Sequence, residues 1–236
     1  MDAIDAAQVF VNQRFPECSA AFLAGSIIRG EGTSTSDLDI VIITAREGTP
    51  YRESLREFGW PIEVFVNNST SYREFFSVEL EERRPRLPTM FAEGIILKDS
   101  DGTAQFIKEE ARMLLEQGPA PLSSEEIIDL RYRITDCLDD FQGSEKFAES
   151  FFIANNLAAM ASNLILASHR KWIGSGKWVP RALQRFDPDL ARCLQVALVS
   201  FCQAGVKDDL IKFAEEALDS VGGRLFEGYS SGKRGA

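Results

Sequence analysis

The stretch AGSIIRGEGTSTSDLDIVII, residues 24–43, joins two apolar runs through a polar loop and decides the fold of the first half of the chain. The runs FLAGSII (22–28) and LDIVIIT (38–44) predict two β-strands, because each is apolar and is bounded by turn residues. Asp37 and Asp39 stand at the start of the second strand, and side chains two residues apart on a strand project from the same face. We therefore expect these two carboxylates to lie side by side.

A third carboxylate, Glu63, interrupts the apolar run PIEVFVN (61–67) on a further predicted strand. Adjacent carboxylates repel one another and bind protons more tightly unless a cation lies between them. Oxygen ligands of this kind suit Mg²⁺. Three such carboxylates can hold two metal ions roughly 4 Å apart, the arrangement that catalyses phosphoryl or nucleotidyl transfer. Asp37, Asp39 and Glu63 are therefore predicted to be catalytic metal ligands, with two Mg²⁺ ions as the cofactor.

The Gly25-Ser26 pair within the first apolar run is suited to bind an anion. Glycine lets backbone N–H groups approach a phosphate closely, and the serine hydroxyl adds a hydrogen-bond donor. The residues after Ser26 are expected to begin a helix, whose positive end favours phosphate. Arg29, three residues further on, is a candidate cation for the same group. The sequence thus predicts a phosphate-binding turn at Gly25 and Ser26, with Arg29 as a candidate additional ligand.

The chain changes character near residue 120, where strand signals stop. The first part is predicted to be an α/β domain, a mixed sheet with flanking helices, with strands at 22–28, 38–44, 61–67 and 93–99 and helices at about 2–14, 71–84 and 103–117. The second part is predicted to be an all-α helical bundle that Ser123 and Glu126 open as a capping box, with helices at about 123–143, 145–172, 187–205 and 208–220. The predicted domains are residues 1–119 and 122–228, followed by a frayed tail at 229–236.

Composition limits the partners. The 236 residues carry a formal net charge of -10, which argues against nucleic acid, because nucleic-acid phosphates are bound mainly by Lys and Arg. No long apolar run predicts a membrane span, and the acidic start differs from a signal peptide, so we expect a cytoplasmic protein without a membrane partner. The 4 cysteines lie far apart, so they predict reduced thiols rather than a zinc site or disulfides.

The motifs together resemble a known domain. Gly-Ser, ten residues, Asp-Leu-Asp and a later acidic strand residue are similar, over residues 22–66, to the nucleotidyltransferase domain of the DNA polymerase β superfamily. With a helical domain after the α/β domain, the chain is most similar to the kanamycin nucleotidyltransferase-like branch. The resemblance implies that the Gly-Ser pair binds a nucleoside triphosphate and that the Asp-Leu-Asp pair binds Mg²⁺. Glu63 would take the third acidic position, where many members carry aspartate, so it is a metal ligand, a base or both.

The general base can come from the same carboxylates or from the helical domain. In the branch that this chain resembles, a carboxylate of the helical domain takes that role. Asp136 and Asp140 lie four residues apart, and hence on one face of a predicted helix. Asp140 is predicted as a catalytic residue on this ground, with Asp136 and Glu63 as the alternatives.

The segment HRKWIGSGKWVPR, residues 169–181, concentrates basic residues and tryptophans in an otherwise acidic chain. It is either a cationic loop that neutralises the phosphates of the nucleotide or a helix end whose basic residues offset the helix dipole. Lys177 is the preferred phosphate ligand, because Gly174 and Gly176 leave its backbone free to approach an anion. His169, without a visible partner, is interpreted as a surface or packing residue.

The predicted reaction is transfer of a nucleoside monophosphate from an NTP, with ATP as the expected donor, to a hydroxyl group, with release of pyrophosphate. The expected acceptor is a small hydroxylated molecule such as an aminoglycoside, whose positive charge suits the acidic surface and would imply a role in antibiotic resistance. Transfer to a protein or RNA acceptor and a non-catalytic nucleotide-binding sensor are the alternatives. The sequence leaves the choice between monomer and homodimer open.

Overall fold

A computed structural model describes residues 1–45 and 48–232. The chain forms two compact units, Met1–Gly118 and Pro119–Ala236. The strands of the first unit are β1 (Cys18–Ala24), β2 (Leu38–Thr44), β3 (Tyr51–Glu57), β4 (Trp60–Asn68) and β5 (Ile95–Asp99). Its helices are α1 (Ala3–Arg14), α2 (Ser71–Glu81), α3 (Arg86–Glu93) and α4 (Thr103–Gln117).

The five strands form one mixed sheet in the order β3-β4-β2-β1-β5. Only the β2–β4 pair is parallel, and the other neighbouring strands are antiparallel. One face of the sheet packs against α1, and the opposite face packs against α2, α3 and α4. This arrangement confirms the predicted α/β class, with a mixed sheet and helices on both faces.

The sheet register brings the motif residues together. Asp39 on β2 is paired with Ala24 at the end of β1 on one side and with Glu63 on β4 on the other side. Because residues directly opposite one another share a face of the sheet, the two carboxylates face the same way. Asp39 therefore lies on the face of Val41, which packs towards α2, α3 and α4 further along the strand.

Two elements of this unit were not predicted. β3 was missed because four of the seven residues in YRESLRE are charged, and this exposed edge strand depends on backbone pairing with β4. α3 was missed because Pro85 and Pro88 are read as breakers, although a proline in the first turn of a helix loses no helical hydrogen bond. The first strand also ends at Ala24, four residues earlier than predicted.

The second unit consists of helices around a single apolar core, as predicted. They are α5 (Ser124–Gly143), α6 (Phe147–Ser168), α7 (Trp178–Phe186), α8 (Pro188–Ala204) and α9 (Asp208–Asp219). The Ser123 and Glu126 capping box is present at the start of α5, and Gly205 ends α8 in a left-handed conformation. α7 was not predicted, because Pro180 and two preceding glycines favour a loop.

The apolar helix α6 is long and hydrophobic enough to cross a membrane by length and composition, although no such span was predicted. More than half of its apolar window is buried inside the helical unit, which accounts for its composition. The start of the predicted frayed tail is also held in place. Tyr229 stacks on Tyr132 with ring centroids 3.8 Å apart, and its hydroxyl donates a hydrogen bond to Asp129. Residues 233–236 of that tail lie outside the described residues.

Candidate active site

Three carboxylates converge at one end of the sheet. Asp37 immediately precedes β2, Asp39 is the second residue of β2, and Glu63 lies on the parallel neighbour β4. One oxygen from each of the three lies within 4.8 Å of the others. A single cation can therefore contact all three side chains, and the groups are partly buried rather than spread over an open surface.

The electrostatics of this group are unfavourable without a cation. Burial of Asp39, together with the charges of Asp37 and Glu63, raises the pKa of the Asp39 carboxyl from 3.8 to about 6, and the nearby Arg29 and Arg52 oppose this rise. An ionised Asp39 at neutral pH therefore destabilises the metal-free fold. A bound divalent cation would remove this penalty.

The hydrogen bonding of the three carboxylates separates Glu63 from the two aspartates. Glu63 Oε1 lies 2.5 Å from an Nη2 atom of Arg52 and accepts a hydrogen bond of 3.1 Å from the Ser54 hydroxyl. Within residues 1–45 and 48–232, the carboxylates of Asp37 and Asp39 make no hydrogen bond or salt bridge. Partly buried carboxylates without a partner have the chemistry that a hard divalent cation requires, so the residues fit a metal such as Mg²⁺.

Gly25 is required at its position by two independent features. Its φ of +85° lies in the left-handed region that favours glycine. A Cβ atom built on Gly25 would also overlap Oδ2 of Asp39. The turn thus passes directly against the candidate metal ligand, and a side chain there would displace that ligand.

The segment after Gly25 is a series of turns and not the predicted helix, so this segment contributes no helix dipole to the site. The backbone N–H of Glu31 donates to the carbonyl of Ser26, and that of Gly30 donates to the carbonyl of Ile27, which closes the chain into a tight loop. The side chain of Ser26 pairs with the Ser36 hydroxyl at 3.1 Å. Ser36 was not singled out from the sequence, because a serine ten residues away in a polar loop carries no signal of this contact.

Arg29 is held by acidic neighbours. Its guanidinium lies 3.3 Å from Glu31 and 3.1 Å from Glu93, and its side chain is 17% exposed. It is close enough to lower the pKa of Asp39. Its assignment as a phosphate ligand stays a prediction, because such a role requires it to loosen one of these two salt bridges.

An open cleft of about 320 Å³ adjoins the carboxylates. Asp37 and Glu63 form one wall, Leu55, Pro61 and Ile62 supply apolar surface, and the strand β3 contributes Ser54 and Arg56. A small group bound in this cleft would contact Asp37, Glu63 and Arg56.

The remaining predicted site residues belong to the helical unit. Asp136 and Asp140 are exposed on α5, with no hydrogen bond or salt bridge to either carboxylate among the described residues. Lys177 is exposed at the start of α7, and its ammonium lies 5.9 Å from the centre of the Trp178 ring. Their roles as a base and as a phosphate ligand stay predictions.

Gly174 makes packing contacts that the sequence did not predict. Its N–H donates to the side chain of Asn163 and its carbonyl accepts from the same side chain, each at 3.1 Å. A Cβ atom at this position would lie 2.6 Å from the backbone nitrogen of Val179 and would overlap the backbone of Trp178. Gly174 therefore allows close packing against α7, and the predicted approach of the Lys177 backbone to an anion stays a prediction.

Residues 8–101 match the family model described as a nucleotidyltransferase domain. A solved structure of a nucleotidyltransferase-like protein from Exiguobacterium sibiricum is similar at 12% sequence identity and a TM-score of 0.45, over 93% of this chain and 74% of that chain. A comparison with curated proteins finds no match. The matched family segment contains the Gly25-Ser26 turn and all three carboxylates.

The carboxylate group could hold a metal ion, and the family match indicates the class of chemistry. The match over residues 8–101 supports a nucleotidyltransferase domain of the DNA polymerase β superfamily in the first unit, as its motifs predict. Placement within the kanamycin nucleotidyltransferase-like branch stays a prediction.

Proposed function

We propose that this protein is a Mg²⁺-dependent enzyme that transfers a nucleoside monophosphate from an NTP, with ATP as the expected donor, to a hydroxyl of a small molecule. The observation that carries the proposal is the convergence of Asp37, Asp39 and Glu63, whose carboxylate oxygens lie within 4.8 Å, beside a glycine turn. The family match over residues 8–101 supports nucleotidyl transfer in general, and the metal, the donor and the acceptor are proposed here.

In this proposal the three carboxylates of the chain bind the metal. Asp37 and Asp39 hold the metal, because neither carboxylate has another partner among the described residues. Glu63 contributes the oxygen that Arg52 and Ser54 leave free. When bound, Mg²⁺ would neutralise phosphate charge and favour the ionised form of an acceptor hydroxyl. As in the sequence analysis, we expect two Mg²⁺ ions at this site.

The turn at Gly25 supports the nucleotide in the same proposal. The Ser26 hydroxyl lies within hydrogen-bonding distance of the Ser36 hydroxyl, so either can donate to a phosphate oxygen while the other orients it. Gly25 lies against Asp39, and Ser26 is the next residue in the chain, which supports a position for this donor near the metal ligands. The nucleotide phosphates would thus contact the turn and the metal together.

The acceptor is proposed to be a small hydroxylated cation such as an aminoglycoside. The formal net charge of -10 favours a cationic substrate over a nucleic acid. Asp140, or Asp136 one turn before it, is the proposed base, since both carboxylates are exposed and make no salt bridge within the described part of the chain. Resistance to an antibiotic would follow from modification of such an acceptor.

The test measures pyrophosphate release from each of the four common NTPs with Mg²⁺ and a panel of aminoglycosides and other polyols. The wild type is compared with the double variant Asp37→Ala/Asp39→Ala. A matched control is Glu53→Gln, which removes a carboxylate from β3 on the strand face opposite to Ser54. We expect acceptor-dependent release in the wild type and the control, and a loss of at least about 1,000-fold in the double variant.

Each other result changes the proposal in a definite way. Release that survives in the double variant would contradict the assigned metal ligands. If no small acceptor causes pyrophosphate release although calorimetry shows that NTP is bound, the proposal of a small-molecule acceptor is wrong. A protein or RNA acceptor would then be favoured. Loss of NTP binding as well as turnover would contradict the nucleotide site.

A further inference from the structure

We propose that Arg52 and Ser54 are positioning residues that orient Glu63 as a metal ligand, an inference that rests on the proposed metal site. Both residues lie on β3, the edge strand that sequence patterns do not reveal. Neither belongs to the glycine turn or to the acidic motif. Their assignment explains why a charged, exposed strand is present beside the site.

The contacts are made to one oxygen of Glu63. An Nη2 atom of Arg52 lies 2.5 Å from Oε1, and the Ser54 hydroxyl donates to the same Oε1 at 3.1 Å. The other oxygen, Oε2, accepts no hydrogen bond within residues 1–45 and 48–232. With two donors on one oxygen, the carboxylate is fixed in rotation and keeps the second oxygen for a cation. Hydrogen-bonded partners of metal-binding carboxylates commonly have this function.

The sheet register makes this contact specific. Ser54 is directly opposite Glu63, and Arg52 is directly opposite Phe65, in the antiparallel pairing of β3 with β4. Residues that alternate along each strand share a face, so all four side chains lie on the same face of the sheet. The Arg52 guanidinium also lies 5.0 Å from the centre of the Phe65 ring, which limits its conformations. The arginine is thus supported on one side by the ring and on the other by the carboxylate.

A second ion pair of equal length provides a comparison. Arg14 and Glu57 also approach to 2.5 Å, but the Glu57 side chain is 29% exposed and is no part of the carboxylate group. The Glu63 side chain is 16% exposed and lies within reach of Asp37 and Asp39. Both arginines are more than half exposed, so neither ion pair is expected to contribute much to stability. The Arg52–Glu63 pair has an additional consequence because its acidic partner faces the site.

The experiment measures Mn²⁺ binding to the metal-free full-length protein from the loss of the electron paramagnetic resonance signal of free Mn²⁺. The variants are Arg52→Gln, Ser54→Ala, Glu63→Gln and the double variant Arg52→Gln/Glu63→Gln, with Arg14→Gln as the matched control. We expect Arg52→Gln to weaken Mn²⁺ binding about tenfold and Ser54→Ala to weaken it to a smaller extent. Arg14→Gln should bind Mn²⁺ like the wild type.

The double variant separates a positioning role from a general structural one. If Arg52 acts through Glu63, then Arg52→Gln has less than about a twofold effect on Mn²⁺ affinity once Glu63 is already glutamine. An equal loss in both backgrounds would overturn the proposal, as would unchanged or tighter binding in Arg52→Gln alone. Tighter binding would show instead that the arginine competes with the metal for Glu63.

The same titration distinguishes failure of this inference from failure of the proposed function. If the wild type does not bind Mn²⁺, or if Asp37→Ala/Asp39→Ala binds it equally well, the proposed metal site is wrong and the role of Arg52 is wrong with it. If the wild type binds Mn²⁺, the double aspartate variant does not, and Arg52→Gln is unaffected, only the role of Arg52 is overturned.

Discussion

Two regions of the sequence have an unusual charge pattern, the acidic group of three carboxylates and the basic segment at 169–181, and their side chains have different surroundings in the structure. The acidic group of Asp37, Asp39 and Glu63 is brought together at one end of a sheet, with two carboxylates that lack partners among the described residues. The basic segment at 169–181 is built into helix ends and packing contacts, and Gly174 within it is held on both sides by a single asparagine.

Individual residues of the basic segment show this structural use. The ring nitrogen Nδ1 of His169 lies 2.9 Å from the carbonyl of Ile165, and the ring packs 5.0 Å from that of Phe186. The Arg181 guanidinium lies 4.9 Å from the centre of the Trp178 ring. Charge that is already paired contributes to the fold, whereas unpaired and partly buried charge points to a ligand. Unusual composition alone does not separate the two cases.

Among the single substitutions considered below, the largest expected effect falls at the Gly25 turn, which lies against the acidic group. We expect Gly25→Ala to lower nucleotidyl transfer by at least about 100-fold, because the methyl group overlaps Asp39 Oδ2 and the backbone conformation disfavours any side chain. Mn²⁺ affinity should fall in parallel. Gly30→Ala is the matched control, since Gly30 has a similar φ of +71° but no atom within 4 Å of an added Cβ.

Steady-state kinetics of both variants check this prediction. If Gly30→Ala were as inactive as Gly25→Ala, backbone strain in the loop would account for the loss and the close approach to Asp39 would be irrelevant. If both were active, the turn would not support the site at all.

In the basic segment, the largest expected effect is on stability and not on activity. Gly174→Ala should lower the free energy of unfolding by about 2–3 kcal/mol, because the added methyl overlaps main-chain atoms of Trp178 that cannot move aside. Gly176→Ala, with a φ of +52° and open space around the added Cβ, is the control. Urea unfolding followed by tryptophan fluorescence measures the difference. A destabilisation by Gly174→Ala no larger than that of the control would show that the packing is not tight.

Sequence patterns predicted the parts of the site that lie on apolar strands. β2 and β4 were recognisable because their apolar runs are interrupted by the charged residues Asp39 and Glu63, and those interruptions marked the candidate ligands. The parallel register that sets Asp39 opposite Glu63 depends on long-range pairing and was not predicted, although the motif suggested that the three carboxylates act together.

The parts that escaped prediction share a physical cause. Arg52 and Ser54 lie on β3, whose charged sequence carries no hydrophobic alternation, because an edge strand is held by backbone pairing with its neighbour. The overlap of a side chain at Gly25 with Asp39 depends on distances across the sheet, which spacing in the chain cannot give. Local pattern therefore predicts the groups that do the chemistry more readily than the contacts that hold them in place.

A smaller effect of opposite sign is expected from the raised pKa of Asp39. Because the folded-state pKa of about 6 exceeds the ordinary value of 3.8, the folded protein binds this proton more tightly than the unfolded chain does. Ionisation therefore lowers stability between pH 4 and pH 6, and the loss is complete above about pH 6. In EDTA at pH 7.5, Asp39→Asn should be more stable than the wild type by about 1–2 kcal/mol, and the difference should vanish near pH 4.

Thermal unfolding across this pH range measures the effect, and Mg²⁺ sharpens it. Saturating Mg²⁺ should stabilise the wild type and leave Asp39→Asn unchanged, because the variant lacks a metal ligand. A variant that is less stable than the wild type in EDTA at pH 7.5 would mean that the carboxylate of Asp39 is already compensated inside the protein. The charge of the acidic group would then be balanced within the protein, as it is in the basic segment.

The smallest expected effect tests whether the basic segment contributes to the chemistry at all. Lys177 is its one proposed phosphate ligand. Its exposed ammonium makes no salt bridge within the described residues and lies 5.9 Å from the Trp178 ring centre. Lys177→Gln should raise the KM for the NTP about tenfold with kcat nearly unchanged, because a single charged hydrogen bond to a phosphate is lost. Arg185→Gln, an exposed cation on the same helix, should leave KM unchanged. If Lys177→Gln also leaves the KM for the NTP unchanged, Lys177 does not bind the nucleotide. The basic segment would then contribute to the fold alone, whereas the acidic group contributes to the chemistry.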